Sequence, residues 1–408
     1  MKVPGFLKQT ALLIFSQVIV IIAGFGIKTI QTQTLGADLY GEYAFFGSLT
    51  GFLIIFFRFG FFNSMQVLLA ATNAENEQKR LVSAGLVLAI INGLAFAALL
   101  FGISFFINEW FNTIIGDYLK LLAPITFILP FRHYIYGVSV GLNRMRILAL
   151  FDGGSKVLFF LILLSLLFLE RIDLTTVIFF NLISTIAILA FIIRMLPLST
   201  HQLGLGLKEL WSKVKSYGFN SYLGFISHQS TYKLDELLIT YFQNVVVNGF
   251  YTVAGLLCSP MVMFSQSLSN SLFKRFSKES EIPKKIFILN AVALIGYIIG
   301  IWLFGRWAIE LLFGDEFAIA ATYLIPLSIA YFLQGLYQPY MFLASKSQDK
   351  SIRNSAFAEA GVNVIGNFAL IPLLGVMGAI YTSIVAKGVY LAMSHYYYKQ
   401  YLKKEKEH

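Results

Sequence analysis

The chain has 408 residues, of which 57% are apolar and 13% charged, with a mean hydropathy of +0.73 and a formal net charge of +10. A soluble domain needs far more polar surface than that, whereas a protein whose outer faces meet lipid needs this composition. A nucleic-acid binder gathers its basic residues on one solvated face or tail; here they sit in short loops between apolar runs, which excludes nucleic acid as the partner.

In chain order, Lys2 and Lys8 precede an apolar run from Thr10 to Ile30. The run is longer than the apolar core of a signal peptide and lacks a small-x-small cleavage site, so it reads as a retained first helix. Each crossing needs ~20 apolar residues. On that rule spans fall at 10–32, 43–71, 83–107, 119–142, 150–169, 174–195, 217–242, 249–272, 286–308, 318–344, 355–373 and 376–398, with Pro372 interrupting the eleventh. The expected fold class is therefore an all-α integral membrane protein of about twelve transmembrane helices. Alternate loops test this register. Lys79, Arg80, Arg144, Arg146, Arg194, Lys284, Lys285, Lys346, Arg353 and the C-terminal lysines all fall on one side. The other side holds only Lys120, Arg171 and Arg306, against acids from Asp38 and Glu42 to Asp315 and Glu316. The bias places both termini in the cytoplasm.

The connection 196–216 is the longest, and in it Leu207, Leu210, Trp211 and Val214 share a helical face opposite Lys208, Lys213 and Lys215. That pattern predicts an amphipathic helix resting on anionic headgroups. It divides the chain into an N-terminal six-helix bundle (1–195), a linker (196–216), a C-terminal six-helix bundle (217–398) and a tail (399–408). The halves echo each other. Tyr40-Gly41-Glu42-Tyr43 matches Asn248-Gly249-Phe250-Tyr251, and Gly116-Asp117 before Pro124 matches Gly314-Asp315 before Pro326. Six helices per half gives parallel repeats, a layout with a natural central cavity.

Six basic residues fall inside the spans away from their ends: Lys28, Arg58, Arg132, Lys156, Lys233 and Lys387. Asp235, Glu236 and Glu359 are acids there, and Asp152 lies near the end of helix five. A charge at mid-membrane costs ~2.5–3.5 kcal/mol on insertion scales, so each must face a partner or a wet cavity. Helix seven groups His228, Tyr232 and Asp235 beside Gln229, Lys233 and Glu236. Ser383, Lys387, Tyr390 and Ser394 share a face of helix twelve, Gln17, Gly24, Lys28 and Gln31 a face of helix one, and Glu359 with Asn363 begins one on helix eleven. One reading is a cationic cavity, with Arg58, Arg132, Lys233, Lys28 and Lys387 binding an anionic substrate and Asp235, Glu236 and Glu359 coupling an ion. The other is structural: Lys28 snorkels to the interface, Lys156 pairs with Asp152, and Asp235 or Glu236 neutralises Lys233.

Gly137-Val138-Ser139-Val140-Gly141 has the spacing of a hydrolase nucleophile elbow, but that turn needs a strand and this stretch lies inside a helix. Close helix packing explains it better, as it does Gly47/Gly51 and Gly296/Gly300. No phosphate-cradling loop, H-E-x-x-H or Cys/His metal cluster occurs, and Cys258 is the only cysteine. No metal, cofactor or enzymatic activity is expected.

Several stretches carry a family resemblance: 34–43 after helix one, Asp235-Glu236-Leu237-Leu238-Ile239 through Gly249-Phe250-Tyr251, Gly314-Asp315-Glu316-Phe317, and 367–375 leading to Gly378-Ala379. In these the chain resembles, nearly end to end, the polysaccharide transporter branch of the multidrug/oligosaccharidyl-lipid/polysaccharide (MOP) exporters, the Wzx-type O-antigen flippases. The resemblance implies a MATE-like pair of bundles in a bacterial inner membrane, moving undecaprenyl-diphosphate-linked oligosaccharide from the cytoplasmic to the periplasmic leaflet. A proton or sodium counter-ion and a polysaccharide polymerase are the further partners it implies. Lipid II flippases of the superfamily carry two more helices than this chain. An ion-coupled drug/cation antiporter of the same fold is the alternative, and a membrane polysaccharide polymerase or ligase the next. The orientation is checked by fusions: alkaline phosphatase placed after Arg171 is expected to be active, and green fluorescent protein after His408 to fluoresce.

Overall fold

The structure, a computed structural model, describes residues 5–219, 222, 233–346 and 348–407, with side chains from residue 20 on except at 217, 274, 349, 406 and 407. Among these residues all regular structure is helical. In hydrocarbon no water can satisfy a backbone N–H or C=O, and a helix satisfies both within itself. Nine of the described stretches are long and apolar enough to cross a membrane. The chain forms two compact units, one of Met1–Tyr43 and Thr50–Ile226, the other of Ala44–Leu49 and Ser227–His408.

Helix α1 is Gly5–Leu53, and the loop expected between 32 and 43 is reduced to a break at Gly36, whose φ of 71° suits glycine. The expected span 43–71 is not one helix either. A 3-10 turn at Ile54–Arg58 leads to left-handed Phe59 and Gly60 before α2 (Phe61–Ala71). Then come α3 (Glu75–Ile103), α4 (Ile107–Phe111) and α5 (Ile115–Leu122). Pro124 follows in a 3-10 turn, Ala123–Ile128, before α6 (Phe131–Gly141). A π turn joins α7 (Met145–Ala149) to α8 (Ser155–Phe168), and a capping box of Asp173 and Thr176 starts α9 (Leu174–Met195).

The amphipathic helix is present as α10 (Leu203–Lys213), and part of its apolar face packs on the protein. Gly206, Leu210 and Val214 are buried, with Gly206 close against Arg80 and Ala84 of α3. The Arg80 Nη2 donates to both oxygens of Glu209 at 2.7 and 2.9 Å. Trp211 remains half exposed, stacked on Phe61 with ring centroids 6.1 Å apart.

In the second unit α11 (Leu234–Phe242) begins after Lys233, which is left-handed with a φ of 65°. The helices α12 (Val245–Phe276), α13 (Lys284–Phe313) and α14 (Ala320–Tyr337) follow. Pro339 lies in a 3-10 turn leading to α15 (Phe342–Ser345), and α16 (Asp349–Leu374) and α17 (Val376–Glu407) complete the unit. Pro372 does not interrupt α16, which runs on through it to end two residues later at Leu374.

The two units repeat the same pairings. The contacts of α2 on α6, of α3 on the Ala123–Ile128 turn and of α8 on α9 correspond to α12 on α14, α13 on α14 and α16 on α17. The contacts that pin the start of the second span in each half differ in chemistry. In the first unit Glu42, itself buried, accepts from the Thr113 hydroxyl and from the Ile114 N–H at 3.1 Å. In the second, Phe250 meets Phe317 edge to face at 5.5 Å.

The glycine pattern also divides. A Cβ on Gly137 would stand 2.8 Å from the Phe62 carbonyl oxygen and one on Gly141 2.7 Å from the Leu69 Cβ, so α6 and α2 touch through glycine. Gly47, Gly296 and Gly300 face open space and serve no such contact. Gly60 combines a φ of 74° with backbone contact, since a Cβ there would lie 2.2 Å from the Gly218 carbonyl oxygen. Gly60→Ala is expected to destabilise the protein by at least ~1–2 kcal/mol, the cost of a left-handed non-glycine residue, whereas Gly47→Ala is neutral. Thermal unfolding of the detergent-solubilised chain measures both.

Candidate functional site

The intramembrane charges gather in two places, one in each unit. In the first, the 3-10 turn after α1 presents Arg58, whose Nη2 donates to Asn63 Oδ1 at 2.8 Å. The first turn of α6 presents Arg132, whose Nε and Nη2 donate to the two oxygens of Asp152, each at 2.9 Å. Asp152 thus engages Arg132 bidentately, where the sequence pointed to Lys156. Arg58 and Arg132 lie close enough to interact electrostatically, and Lys156 joins the group through both Arg132 and Asp152. Three positive groups face one negative, so the cluster is basic. The Arg132 side chain keeps 57% of its surface exposed.

Lys28 lies against two aromatic rings. Its ammonium stands 4.6 Å from the ring centre of Tyr43 and 5.1 Å from that of Tyr40, a cation–π arrangement on α1 across the Gly36 break. Asn181 of α9 donates to the Tyr43 hydroxyl at 2.9 Å and so orients that ring.

In the second unit a cavity of about 710 Å³ is lined from α11, α12, α14, α16 and α17. Lys233, Asp235, Glu236, Glu359 and Lys387 all line it. The Lys387 Nζ donates to Glu359 Oε1 at 2.5 Å, and Lys233 donates to Glu236 one turn on. Ser48 donates to the other Glu236 oxygen at 2.5 Å, and the Tyr251 hydroxyl to Asp235 Oδ2 at 2.5 Å. Among the described residues two positive groups face three acidic ones, so this lining carries an excess of acids. Of the five basic residues expected to line a cationic cavity, Arg58 and Arg132 belong to the basic cluster of the first unit, and within the second unit Lys233 and Lys387 are each bonded to a glutamate.

The helical faces read from spacing recur here. Ser383, Lys387, Tyr390 and Ser394 of α17, with Glu359 and Asn363 of α16, all line the cavity. His228, Gln229 and Tyr232 lie outside the described residues, as does the side chain of Gln17. The missed residues are on α14 and the turn after it: Tyr331, Gln334, Tyr337 and Gln338. Their spacing of three and four residues is a polar stripe within an apolar helix, a signal available in the sequence.

A sequence profile described as polysaccharide biosynthesis protein matches residues 6–278. The chain belongs to that family. No curated protein sequence matches it. Among solved structures this family member is similar to the lipid II flippase MurJ in an inward closed conformation, with a TM-score of 0.76 at 16% identity, over 95% of this chain and 87% of that one. It is also similar to an inward-facing multidrug resistance MATE family transporter of the MOP superfamily, with a TM-score of 0.66 at 14% identity, over 94% and 95% of the two chains. A MOP superfamily transporter from Pyrococcus furiosus gives 0.58 at 11% identity, over 96% and 95%. The fold is thus all-helical and MATE-like.

Removing one partner of a buried pair strands the other charge. Lys387→Met is expected to destabilise the protein by about 3 kcal/mol, the low end for a pair that is partly exposed, and Lys387→Met with Glu359→Gln to recover most of the loss. A double-mutant cycle of unfolding midpoints reads the coupling.

Proposed function

We propose that this protein is a flippase that carries undecaprenyl-diphosphate-linked oligosaccharide from the cytoplasmic to the periplasmic leaflet by alternating access. The observation that carries the reading is the opposite sign of the two charged sites. The basic cluster of Arg58, Arg132 and Lys156 suits a diphosphate: guanidinium groups present planar N–H forks that match phosphate oxygens, and in a poorly hydrated site such contacts strengthen. The acidic cavity suits the counter-ion. Asp235, Glu236 and Glu359 are its coupling groups, since a carboxylate held by a lysine or tyrosine can exchange that partner for a proton or a sodium ion as the protein changes state. Membership of a polysaccharide biosynthesis family supports the substrate class. On this reading the protein works in a bacterial inner membrane with both termini cytoplasmic and hands its product to a polysaccharide polymerase.

In a second reading, a drug/cation antiporter, the exported cation would enter the acidic cavity by displacing Lys233, Lys387 or Tyr251 from its carboxylate. The two differ in what the arginines do. In a flippase-deficient strain, Arg58→Ala and Arg132→Ala are expected to lower surface glycan about tenfold at unchanged protein level, the loss of a charge-assisted hydrogen bond worth ~1.5–3 kcal/mol. Arg58→Lys keeps partial function and Lys208→Ala nearly full function. Asp235→Asn and Glu359→Gln remove the response of transport to an imposed proton or sodium gradient. Full complementation by both arginine variants, together with extrusion of a cationic dye that needs Asp235, establishes the antiporter instead.

A further inference from the structure

The lining of the acidic cavity is unlike the rest of the chain. The protein contains 40 Phe, 21 Tyr and 4 Trp, yet among the described residues no Phe or Trp lines this cavity and five tyrosines do: Tyr251, Tyr331, Tyr337, Tyr340 and Tyr390. A pocket for a lipid tail or an apolar drug would draw on phenylalanine at least as readily. Amides accompany the tyrosines, with Gln266, Gln334, Gln338 and Asn363 all on the wall. Ring faces, hydroxyls and amides together are the chemistry that holds sugars: the faces pack on pyranose C–H groups while hydroxyls and amides exchange hydrogen bonds with ring hydroxyls.

The aromatic wall is also held in place. Tyr337 and Tyr390 lie 4.2 Å apart between ring centres at 40°. Tyr340 is bonded through its hydroxyl to His395 Nδ1 at 2.7 Å and meets Tyr398 edge to face at 5.6 Å. Tyr251 is bonded to Asp235. Rings whose rotamers are already fixed lose little freedom when a ligand packs on them. The volume of about 710 Å³ falls within the ~300–1,000 Å³ of ordinary small-ligand pockets, room for a short oligosaccharide.

From this we infer that the cavity in the second unit is a sugar-binding site, which receives uncharged pyranose units of the oligosaccharide and discriminates against uronic acids. The inference rests on the flippase reading for its place in transport, though not for the binding itself. The discrimination follows from charge: a sugar carboxylate entering here meets three carboxylates against two ammonium groups, and both ammonium groups are already bonded to glutamates. An organic cation is disfavoured for the converse reason, since each acid is engaged, Glu236 by Lys233 and Ser48, Glu359 by Lys387 and Asp235 by Tyr251.

Saturation-transfer NMR on the full chain in lipid nanodiscs tests this, with cellobiose, N,N′-diacetylchitobiose, digalacturonic acid and tetraphenylphosphonium as probes. Saturation is expected on the ring protons of at least one neutral disaccharide, with digalacturonic acid bound about tenfold more weakly or not at all, a difference of ~1.4 kcal/mol. Tyr390→Ala and Gln334→Ala should each weaken that binding about tenfold, whereas Tyr390→Phe, which keeps the ring and the packing, retains most of it. The inference is overturned if neither neutral probe is saturated, if digalacturonic acid or tetraphenylphosphonium binds as well as the neutral sugars, or if Tyr390→Ala binds like the parent. Because binding is read without transport, the sugar site can fail while glycan complementation holds, and the flippase reading can fail while sugar binding holds.

Discussion

A charge placed within a membrane must meet its partner in the protein, and most of the functional architecture here answers to that constraint. The candidate charges found in the spans are answered in different ways. Lys387 meets Glu359, Lys233 meets Glu236, Arg132 meets Asp152 and Lys28 lies between two tyrosine rings. These contacts differ in what they leave behind. Where one acid serves several bases, as around Asp152, the site stays positive; where acids outnumber bases, as around Glu359 and Glu236, it stays negative. The sign of each site is a by-product of how its charges are neutralised, and the sign decides which ligand it can take.

The internal repeat shows how little of that chemistry the fold requires. The same helix pairs pack in both units, yet the pin between the second helix and the loop before the fourth is a carboxylate cap in one and a pair of phenylalanine rings in the other. A buried carboxylate that accepts from a hydroxyl and a backbone N–H, and two rings packed edge to face, both hold two elements together. The scaffold therefore tolerates divergence of polarity at equivalent places, which leaves one unit free to become basic and the other acidic.

Small residues follow the same division between local pattern and actual use. Gly137 and Gly141 let α6 lie against α2, and Gly206 lets α10 lie against α3, whereas Gly296 and Gly300 have the same spacing and touch nothing. The docking of α10 turns a sequence that reads as an interfacial helix into part of the first unit. Arg80 and Glu209 fasten it with a bidentate pair that no periodicity could forecast, because the two residues are 129 positions apart.

The sequence by itself determined what depends on neighbours along the chain. Spans follow from runs of apolar residues, and helical faces from a period of 3.6, so the polar faces of the last two helices could be read before any coordinates. The turn chemistry at Gly36, Lys233 and Pro339 was not legible as such, since the strain or relief of a single residue is set by what packs around it. Which base meets which acid was settled only in three dimensions. Lys387 and Glu359 are 28 residues apart, Arg132 and Asp152 are 20, and Ser48 reaches Glu236 across 188. An electrostatic contact falls off over a few ångströms while separation along the chain says nothing about distance in space. For that reason the residue types on each helix were a property of the sequence, and the sign of each site was a property of the tertiary fold.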